Sequence, residues 1–292
     1  TILEANIFMK DLIGNTPLVK ISDKIYAKLE TYNPSGSIKD RMAFFILTEA
    51  KKRGELKDGD TIVEATSGNT GIAMSMLGAA MGHPVIIIMP RNMSKERKCM
   101  MRTYGAKIVE VGDNAFKAAI ELRDLMCAEN ENFFNPRQFS NPDNIQCHFK
   151  TTGVEIIKDM PDLSAFIAGS GTGGTIMGVN KTLKLMKSPA KIIQVQPEES
   201  NATHGIQGIN DGEDFLLDKS VVDQTIFIKT KDAIARAKRL AKEKGLLVGI
   251  SSGANILAAE QWVAENNPEN PVVTILCDRG ERYFSCFEDY IE

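Results

Sequence analysis

Features that mark membrane, nucleic-acid-binding and secreted proteins are missing from this sequence of 292 residues. No apolar run approaches the ~20 residues that span a membrane, and a net charge of -3 gives no attraction to nucleic acid or anionic lipid. The first residues, Thr-Ile-Leu-Glu, carry neither the basic segment nor the apolar core of a secretory signal. We therefore expect neither a membrane nor a nucleic acid as a partner.

Cysteine and histidine are scarce as well. The five cysteines are scattered and odd in number, they form no Cys-x-x-Cys pair, and the three histidines are isolated. This pattern argues against a zinc site and against a disulfide framework. We expect reduced thiols, a cytoplasmic location and no metal.

The residues that are present are typical of a globular α/β protein with two domains. Hydrophobic residues make up 43% and charged residues 25% of a chain long enough for two domains. Predicted strands and helices alternate, which favours mostly parallel, twisted sheets with helices on both faces. The expected boundaries are a smaller, mobile domain at 35–142 and a larger domain at 1–34 and 143–292. Other predicted elements are a helix capped by Ser94, one helix at 145–158 and a strand at 221–228.

One lysine is expected at the start of a helix. The stretch Pro34-Ser35-Gly36-Ser37-Ile38-Lys39-Asp40-Arg41 leads into apolar residues spaced as on one helix face, and Ser35 or Ser37 can cap that helix. The positive end of the helix dipole should lower the pKa of Lys39 and make its neutral amine available. Such an amine can form a Schiff base with a carbonyl, although this stretch alone fits an ordinary surface lysine better.

Two polar loops are expected at carboxyl ends of strands, where open α/β sheets bind ligands. Thr66-Ser67-Gly68-Asn69-Thr70-Gly71 precedes a helix whose first N–H groups suit a carboxylate, although a well-capped turn fits equally. Gly169-Ser170-Gly171-Thr172-Gly173-Gly174-Thr175 has four glycines in six positions and could bind phosphate through backbone N–H groups. Because it also matches G-x-G-x-x-G, with Glu198 where an acid would bind ribose, a nicotinamide-dependent dehydrogenase is an alternative.

Two further loops give weaker signals. Gly249-Ile250-Ser251-Ser252-Gly253 is expected between a strand and a helix, and Gln138 and Asn141 lie in a polar loop. Serine and asparagine in loops more often form turns than bind ligands. Only the combination of all four loops points to a function.

Together, the loops resemble the signature set of the cysteine synthase (O-acetylserine sulfhydrylase) family. Its members are pyridoxal-phosphate enzymes of fold type II, the tryptophan-synthase-β-like fold. Asn15-Thr16-Pro17-Leu18-Val19 and Cys277-Asp278-Arg279-Gly280-Glu281-Arg282-Tyr283 also match, so the resemblance covers nearly the whole chain in order. The second of these segments looks more like the B-type enzymes than the A-type.

The resemblance implies a role for each matching position. Lys39 would form the Schiff base with pyridoxal 5'-phosphate and move the substrate's α-proton, Asn69 would bond to the ring hydroxyl, and Ser251 would face the pyridine nitrogen. The phosphate would be bound by Gly171, Thr172, Gly173, Gly174 and Thr175, and the substrate's carboxylate by Thr66, Ser67, Asn69, Thr70 and Gln138. A neutral serine at the ring nitrogen favours loss of a β-substituent over transamination. A homodimer is implied by the resemblance alone.

The implied reaction is a β-replacement on a three-carbon amino acid through an α-aminoacrylate intermediate. An activated serine would lose its β leaving group, and sulfide would add to give cysteine. The same intermediate could form from cysteine with release of hydrogen sulfide, after which water or a second thiol would give serine or a thioether. Residues 200–220 are shorter than in A-type enzymes, which leaves the substrate and the direction open. A catalytically silent binding protein is the non-enzyme alternative, but Lys39 and all four loops are intact.

Asp232 is a further candidate. It follows the predicted strand at 221–228, so it could act as a general acid or base in the second half of the reaction. Alternatively, it only stabilises the start of the next helix through the dipole. Closure of the smaller domain onto the substrate's carboxylate would exclude water.

Overall fold

The computed structural model of the protein describes residues 8–66, 68–199 and 216–288. Within these ranges the chain divides into two compact units. The first unit comprises residues 8–13, 33–143 and 282–288, and the second comprises residues 14–32 and 144–281.

Residues 8–13 and 282–288 differ from the expected boundaries, because both segments belong to the first unit and not to the larger domain. The side chain of Met9 is buried in the hydrophobic core of the first unit. The Ser94 hydroxyl donates to the carbonyl oxygen of Arg282 at 3.1 Å. Apolar packing therefore holds Met9, and the C-terminal residues are held by this bond together with the buried Tyr283 and Phe287.

The elements mostly alternate between strands and helices. The strands are β1 (Leu18–Ser22), β2 (Ile25–Leu29), β3 (Thr61–Ala65), β4 (Val85–Pro90), β5 (Lys107–Val111), β6 (Phe133–Phe134), β7 (Ala165–Gly169), β8 (Lys191–Pro197), β9 (Gln224–Ile228) and β10 (Val272–Leu276). The α-helices are residues 8–12, α1 (Lys39–Arg53), α2 (Asn69–Met81), α3 (Lys95–Thr103), α4 (Phe116–Glu129), α5 (Pro142–Lys150), α6 (Thr152–Asp159), α7 (Gly174–Leu185), α8 (Thr230–Lys244), α9 (Ile250–Asn266) and α10 (Phe284–Glu288). Short 3-10 helices lie at Glu30–Tyr32, Lys219–Val221 and Gly280–Tyr283.

Each unit contains its own sheet. In the first unit, four strands pair in the order β5-β4-β3-β6, and every pair is parallel. In the second unit, six strands pair in the order β1-β2-β10-β7-β8-β9, and only the β1–β2 pair is antiparallel. The predicted α/β class, with two domains built on mostly parallel sheets, is therefore confirmed. Among the described residues, no helix is both long and apolar enough to cross a membrane.

The loops singled out in the sequence follow the carboxyl ends of two central strands. In the first unit, β3 leads through Thr66 and Gly68 into α2. In the second unit, β7 leads through residues 170–173 into α7. Because parallel neighbours require a crossover, these helices return the chain to the next strand and begin beside the strand ends.

Two elements differ from their sequence-based predictions. The helix predicted at 145–158 is two helices, because Thr151 leaves the helical conformation and its hydroxyl donates to the carbonyl oxygen of Cys147 at 2.8 Å. The strand predicted at 221–228 begins only at Gln224, because Asp218 caps a 3-10 helix through the backbone N–H of Ser220 at 2.9 Å. The predicted Ser94 cap is confirmed, since its hydroxyl accepts from the N–H of Arg97.

A buried ion pair lies inside the first unit. Glu64 on β3 is 0% exposed and accepts from Arg123 on α4 at 2.8 Å. It also accepts from the backbone N–H groups of Ala65 and Gln138 at 2.8 and 3.2 Å. Burial raises the pKa of the Glu64 carboxyl, and the Arg123 guanidinium opposes this rise. The pair therefore joins β3 to α4 and fixes the backbone at Gln138.

We expect Glu64→Gln to lower the free energy of unfolding by about 3 kcal/mol, because Arg123 loses its buried carboxylate partner and keeps only the half-exposed Asp124. The matched control is Glu55→Gln, whose side chain is 50% exposed and pairs with Arg53, and it should cost about 0–1 kcal/mol. Urea unfolding of both variants measures the difference. Equal losses would show that the buried pair adds nothing beyond a surface pair.

Candidate active site

The loop before Lys39 is held by a carboxylate. Asp40 is fully buried and accepts from the backbone N–H of Ser35 at 2.7 Å and from the Ser35 hydroxyl. Gly36 turns the chain with φ of 88°, a left-handed conformation that favours glycine. These bonds fix the backbone immediately before the lysine.

Lys39 is the first residue of α1, as the sequence predicted. Its backbone N–H donates to the Ser37 hydroxyl at 3.2 Å, although the residue at the N-cap position is Ile38 and makes no side-chain cap. The side chain is neither fully buried nor fully exposed. Lys39 therefore lies at the positive end of a helix.

The start of α2 lacks a side-chain cap. Its N-cap residue is Gly68, and no acidic residue lies in the first turn. The Thr66 hydroxyl accepts from the N–H of Gly68 at 3.1 Å, which shapes the turn. Ser67 lies outside the described residues. Because this helix start has no N-cap side-chain bond and no acid in its first turn, it suits a carboxylate.

Gln138 bonds to Thr70 at this helix start. Its side-chain N–H donates to the carbonyl oxygen of Ala65 at 3.0 Å. Because a carbonyl can only accept, this bond fixes the amide orientation and makes the other atom an oxygen. That oxygen accepts from the Thr70 hydroxyl at 2.6 Å. The Thr70 hydroxyl hydrogen is therefore directed at Gln138.

Asn69 contacts a residue that the sequence reasoning did not single out. Its side-chain oxygen accepts from Nη1 of Arg282 at 2.6 Å. Arg282 also donates through Nη2 to the carbonyl oxygen of Ser35 at 2.6 Å. Arg282 belongs to the matched segment 277–283, but no spacing in the sequence could have predicted its partners.

The glycine-rich loop of the second unit ends at a helix whose N-cap residue makes no side-chain bond. Gly173 is the N-cap residue of α7, with φ of 87°, and no acidic residue lies in the first turn. A Cβ on Gly173 would lie 2.6 Å from the backbone nitrogen of Leu217. The loop thus requires glycine here for both conformation and space.

Helix α5 supports this loop with two polar side chains that the sequence reasoning missed. Asn144 donates to the Thr172 hydroxyl at 2.9 Å, and this hydroxyl accepts from the N–H of Gly174 at 3.2 Å. Nε2 of His148 lies 3.3 Å from the Thr175 hydroxyl. Asn144 and His148 are four residues apart on one helix face, a spacing visible in the sequence without its target.

Ser251 differs from its predicted setting, because it follows a helix and not a strand. It lies in the first turn of α9, after α8 ends at Gly245, and Val248 forms only a single bridge with Arg279. One turn further along α9, Asn255 accepts from the N–H of Gly169 and donates to the carbonyl oxygen of Ile275, both at 2.9 Å. Asn255 therefore ties the helix that begins with Ser251 to the start of the glycine-rich loop.

Asp232 lies in the first turn of α8 and is exposed. An acid in this position stabilises a helix through the dipole. Glu198, the candidate ribose ligand, is also exposed and lies 4.0 Å from the Lys229 ammonium.

The donor set fits pyridoxal phosphate. Helices α2, α7 and α9 begin at the predicted loops without an N-cap side-chain bond or an acid in the first turn. Away from these loops, α3 has both the Ser94 cap and Glu96, whereas α4 has neither an N-cap side-chain bond nor an acid in its first turn. Uncapped N-termini suit anionic groups such as a phosphate and a carboxylate. Within the described ranges, no cluster of three or more His, Cys, Asp or Glu could hold a metal.

Comparison with known proteins agrees with this fit. A family model described as pyridoxal-phosphate dependent enzyme matches residues 9–278. Cysteine synthase of Staphylococcus aureus strain N315 is 40% identical over 294 residues, which cover 94% of this chain and 94% of that protein. Cysteine synthase B of Escherichia coli K12 is 40% identical over 287 residues, covering 95% of this chain and 94% of that protein.

A similar solved structure is that of a hydrogen sulfide-producing enzyme from Fusobacterium nucleatum. It is 40% identical and superposes with a TM-score of 0.90 over 97% of this chain and 91% of that chain. The likeness therefore extends over both units, and the pyridoxal-phosphate family match decides against the dehydrogenase alternative.

We expect Gly173→Ala to release pyridoxal phosphate, because its Cβ would displace Leu217 or the first N–H groups of α7. The control is Gly245→Ala at the end of α8, where φ is 68° and a Cβ would meet nothing within 4 Å. Both variants carry a left-handed alanine, which costs about 1 kcal/mol. Cofactor absorbance after dialysis should fall only for Gly173→Ala, and equal occupancy in the two variants would contradict the assignment.

Proposed function

The chain belongs to the family of pyridoxal-phosphate-dependent enzymes, and we propose that it is a cysteine synthase. It would replace the β-substituent of an activated serine with sulfide. The observation that supports this most is the 40% identity to cysteine synthases along 94% or more of the chain. The described members of all four loops lie at helix starts or buried beside them.

When bound, pyridoxal phosphate stabilises negative charge at the substrate's α-carbon. In our proposal, Lys39 Nζ holds the cofactor covalently and then moves the α-proton. Asn69 bonds to the ring hydroxyl, and the Ser251 hydroxyl faces the ring nitrogen without adding charge. The phosphate is bound by the α7 start and its loop, Gly171 to Thr175.

We propose that the substrate's carboxylate is bound mainly by backbone N–H groups at the start of α2. The Thr70 hydroxyl hydrogen is directed at Gln138, so this hydroxyl does not donate to a carboxylate in the same arrangement. Gln138 then has the role of orienting Thr70 and the end of β3. Thr66, Ser67 and Asn69 complete the proposed carboxylate site.

A second candidate function is release of hydrogen sulfide from cysteine. It is favoured by the Fusobacterium nucleatum enzyme, which is as similar in sequence, at 40%, as the cysteine synthases. Here the bond from the β-carbon to sulfur breaks, sulfide leaves, and water or a second thiol adds to give serine or a thioether. The same residues serve both directions.

Two assays on one preparation separate these functions. We expect the protein to form cysteine from O-acetylserine and sulfide faster than it releases sulfide from cysteine alone. Lys39→Ala should abolish both activities and the adduct reducible by borohydride, whereas the exposed Lys52→Ala should retain both. A faster release of sulfide would favour the second function, and a reducible adduct in Lys39→Ala would refute the role of Lys39.

A catalytic role for Asp232 stays a prediction, because its place in the first turn of α8 is also explained by helix stabilisation. As a general acid or base, it would activate the water or thiol that adds after sulfide leaves. Asp232→Asn, mixed with cysteine, would then show a persistent new cofactor absorption band and slow turnover. Normal turnover, with a loss of about 0.3–1 kcal/mol in unfolding free energy, would leave only the helix role.

The assembly and location of the protein also stay predictions. We propose a homodimer, on the family resemblance alone, and a cytoplasmic location. The five cysteines form no disulfide in the described structure. Closure of the smaller domain on the substrate belongs to the same set of proposals.

A further inference from the structure

Arg282 is a buried cation in the first unit without a carboxylate partner among the described residues. Its side chain is 3% exposed, and its two bonds go to the side-chain oxygen of Asn69 and the carbonyl oxygen of Ser35, each at 2.6 Å. Nε is buried with no acceptor in the described structure. Both partners of the guanidinium are neutral.

Such an arrangement is costly unless a negative group lies nearby. Removing a cation from water costs several kcal/mol, and neutral acceptors offset only part of that cost. Arg123 in the same unit shows the usual solution, since it pairs with Glu64 and Asp124 at 2.8 Å each. The Asp40 carboxylate reaches Arg282 only through Ser35, and an anionic ligand near Asn69 would supply a second counter-charge.

The guanidinium also fixes the orientation of the Asn69 amide. Every polar hydrogen of arginine is a donor, so the amide atom that faces Arg282 must be the oxygen. The Nδ2 hydrogens of Asn69 then lie on the other side of the amide. A positive charge behind the oxygen polarises the amide and makes its N–H groups stronger donors.

The backbone of Arg282 is held independently of these contacts. Its carbonyl oxygen accepts from the Ser94 hydroxyl at 3.1 Å. The Arg97 guanidinium lies 5.3 Å from the ring centroid of Tyr283, and the N–H of Ser285 donates to Glu96 at 2.9 Å. The segment is thus fastened to the start of α3, and the Arg282 side chain reaches Asn69 from a fixed position.

We propose that Arg282 is a positioning residue that turns the Asn69 amide so that Nδ2 donates to the anionic ring oxygen of pyridoxal phosphate. The charge of Arg282 is balanced by that oxygen through the amide. This inference rests on the proposed function only in that pyridoxal phosphate binds with its ring hydroxyl at Asn69.

A competition experiment tests this role without measuring activity. Full-length protein is equilibrated with mixtures of pyridoxal phosphate and 3-deoxypyridoxal phosphate, which lacks the ring hydroxyl. Borohydride then traps whichever compound is bound, and mass spectrometry gives the preference. A general loss of stability weakens the binding of both compounds alike, so it leaves the ratio of the two trapped compounds unchanged.

We expect Arg282→Lys, which can bond to only one of the two oxygens well, to reduce the preference for pyridoxal phosphate about tenfold. Asn69→Ala should reduce it to a similar extent, and the double variant should show no further loss. The matched control is Arg279→Lys, an exposed arginine that donates to the carbonyl oxygen of Thr31, and it should keep the wild-type preference.

Three results would overturn the inference. These are an unchanged preference in Arg282→Lys, an additive loss in the double variant, and an equal loss in Arg279→Lys. If wild-type protein traps neither compound, the proposed function fails instead, so the two failures are distinguishable.

Discussion

The bonds around Ser35 are the constraint on which the positions of Lys39 and Asn69 in the first unit depend. Its N–H and hydroxyl donate to the Asp40 carboxylate, and its carbonyl oxygen accepts from Arg282. A loop with a left-handed glycine beside it would otherwise have many conformations. These bonds restrict the conformation of the backbone before Lys39. Arg282, which bonds to the Ser35 carbonyl oxygen, also bonds to Asn69.

In the second unit, neutral side chains hold the glycine-rich loop. Asn144 and Asn255 orient the glycine-rich loop through Thr172 and Gly169, and neither is charged. An acid at these positions would compete with a phosphate for the N–H groups of α7, and a lysine would be redundant with the helix dipole. The glycine-rich loop is thus held by neutral side chains, whereas in the first unit the buried Arg282 cation holds Asn69.

The sequence predicts what is local. The alternation of predicted strands and helices indicated the α/β class. The position of Lys39 at a helix start follows from residues within one turn of it. The contact between Arg282 and Asn69 joins positions 213 residues apart, so no local pattern contains it. The same holds for the setting of Ser251, because only the fold shows that Val248 makes one bridge and no strand. The break at Thr151 was missed because both flanking segments keep helical periodicity.

Because a ribosome makes the chain from its N-terminus, the Arg282 contact can form only late in synthesis. All four loops of the signature set precede Arg282 in the sequence, and Asn69 precedes it by 213 residues. While the chain is being made, α2 and its loop can exist, but the bond from Arg282 to the Asn69 amide cannot yet form. The first unit therefore becomes complete only after the whole second unit has been synthesised. In our proposal, selective binding of pyridoxal phosphate is then a property of the finished polypeptide.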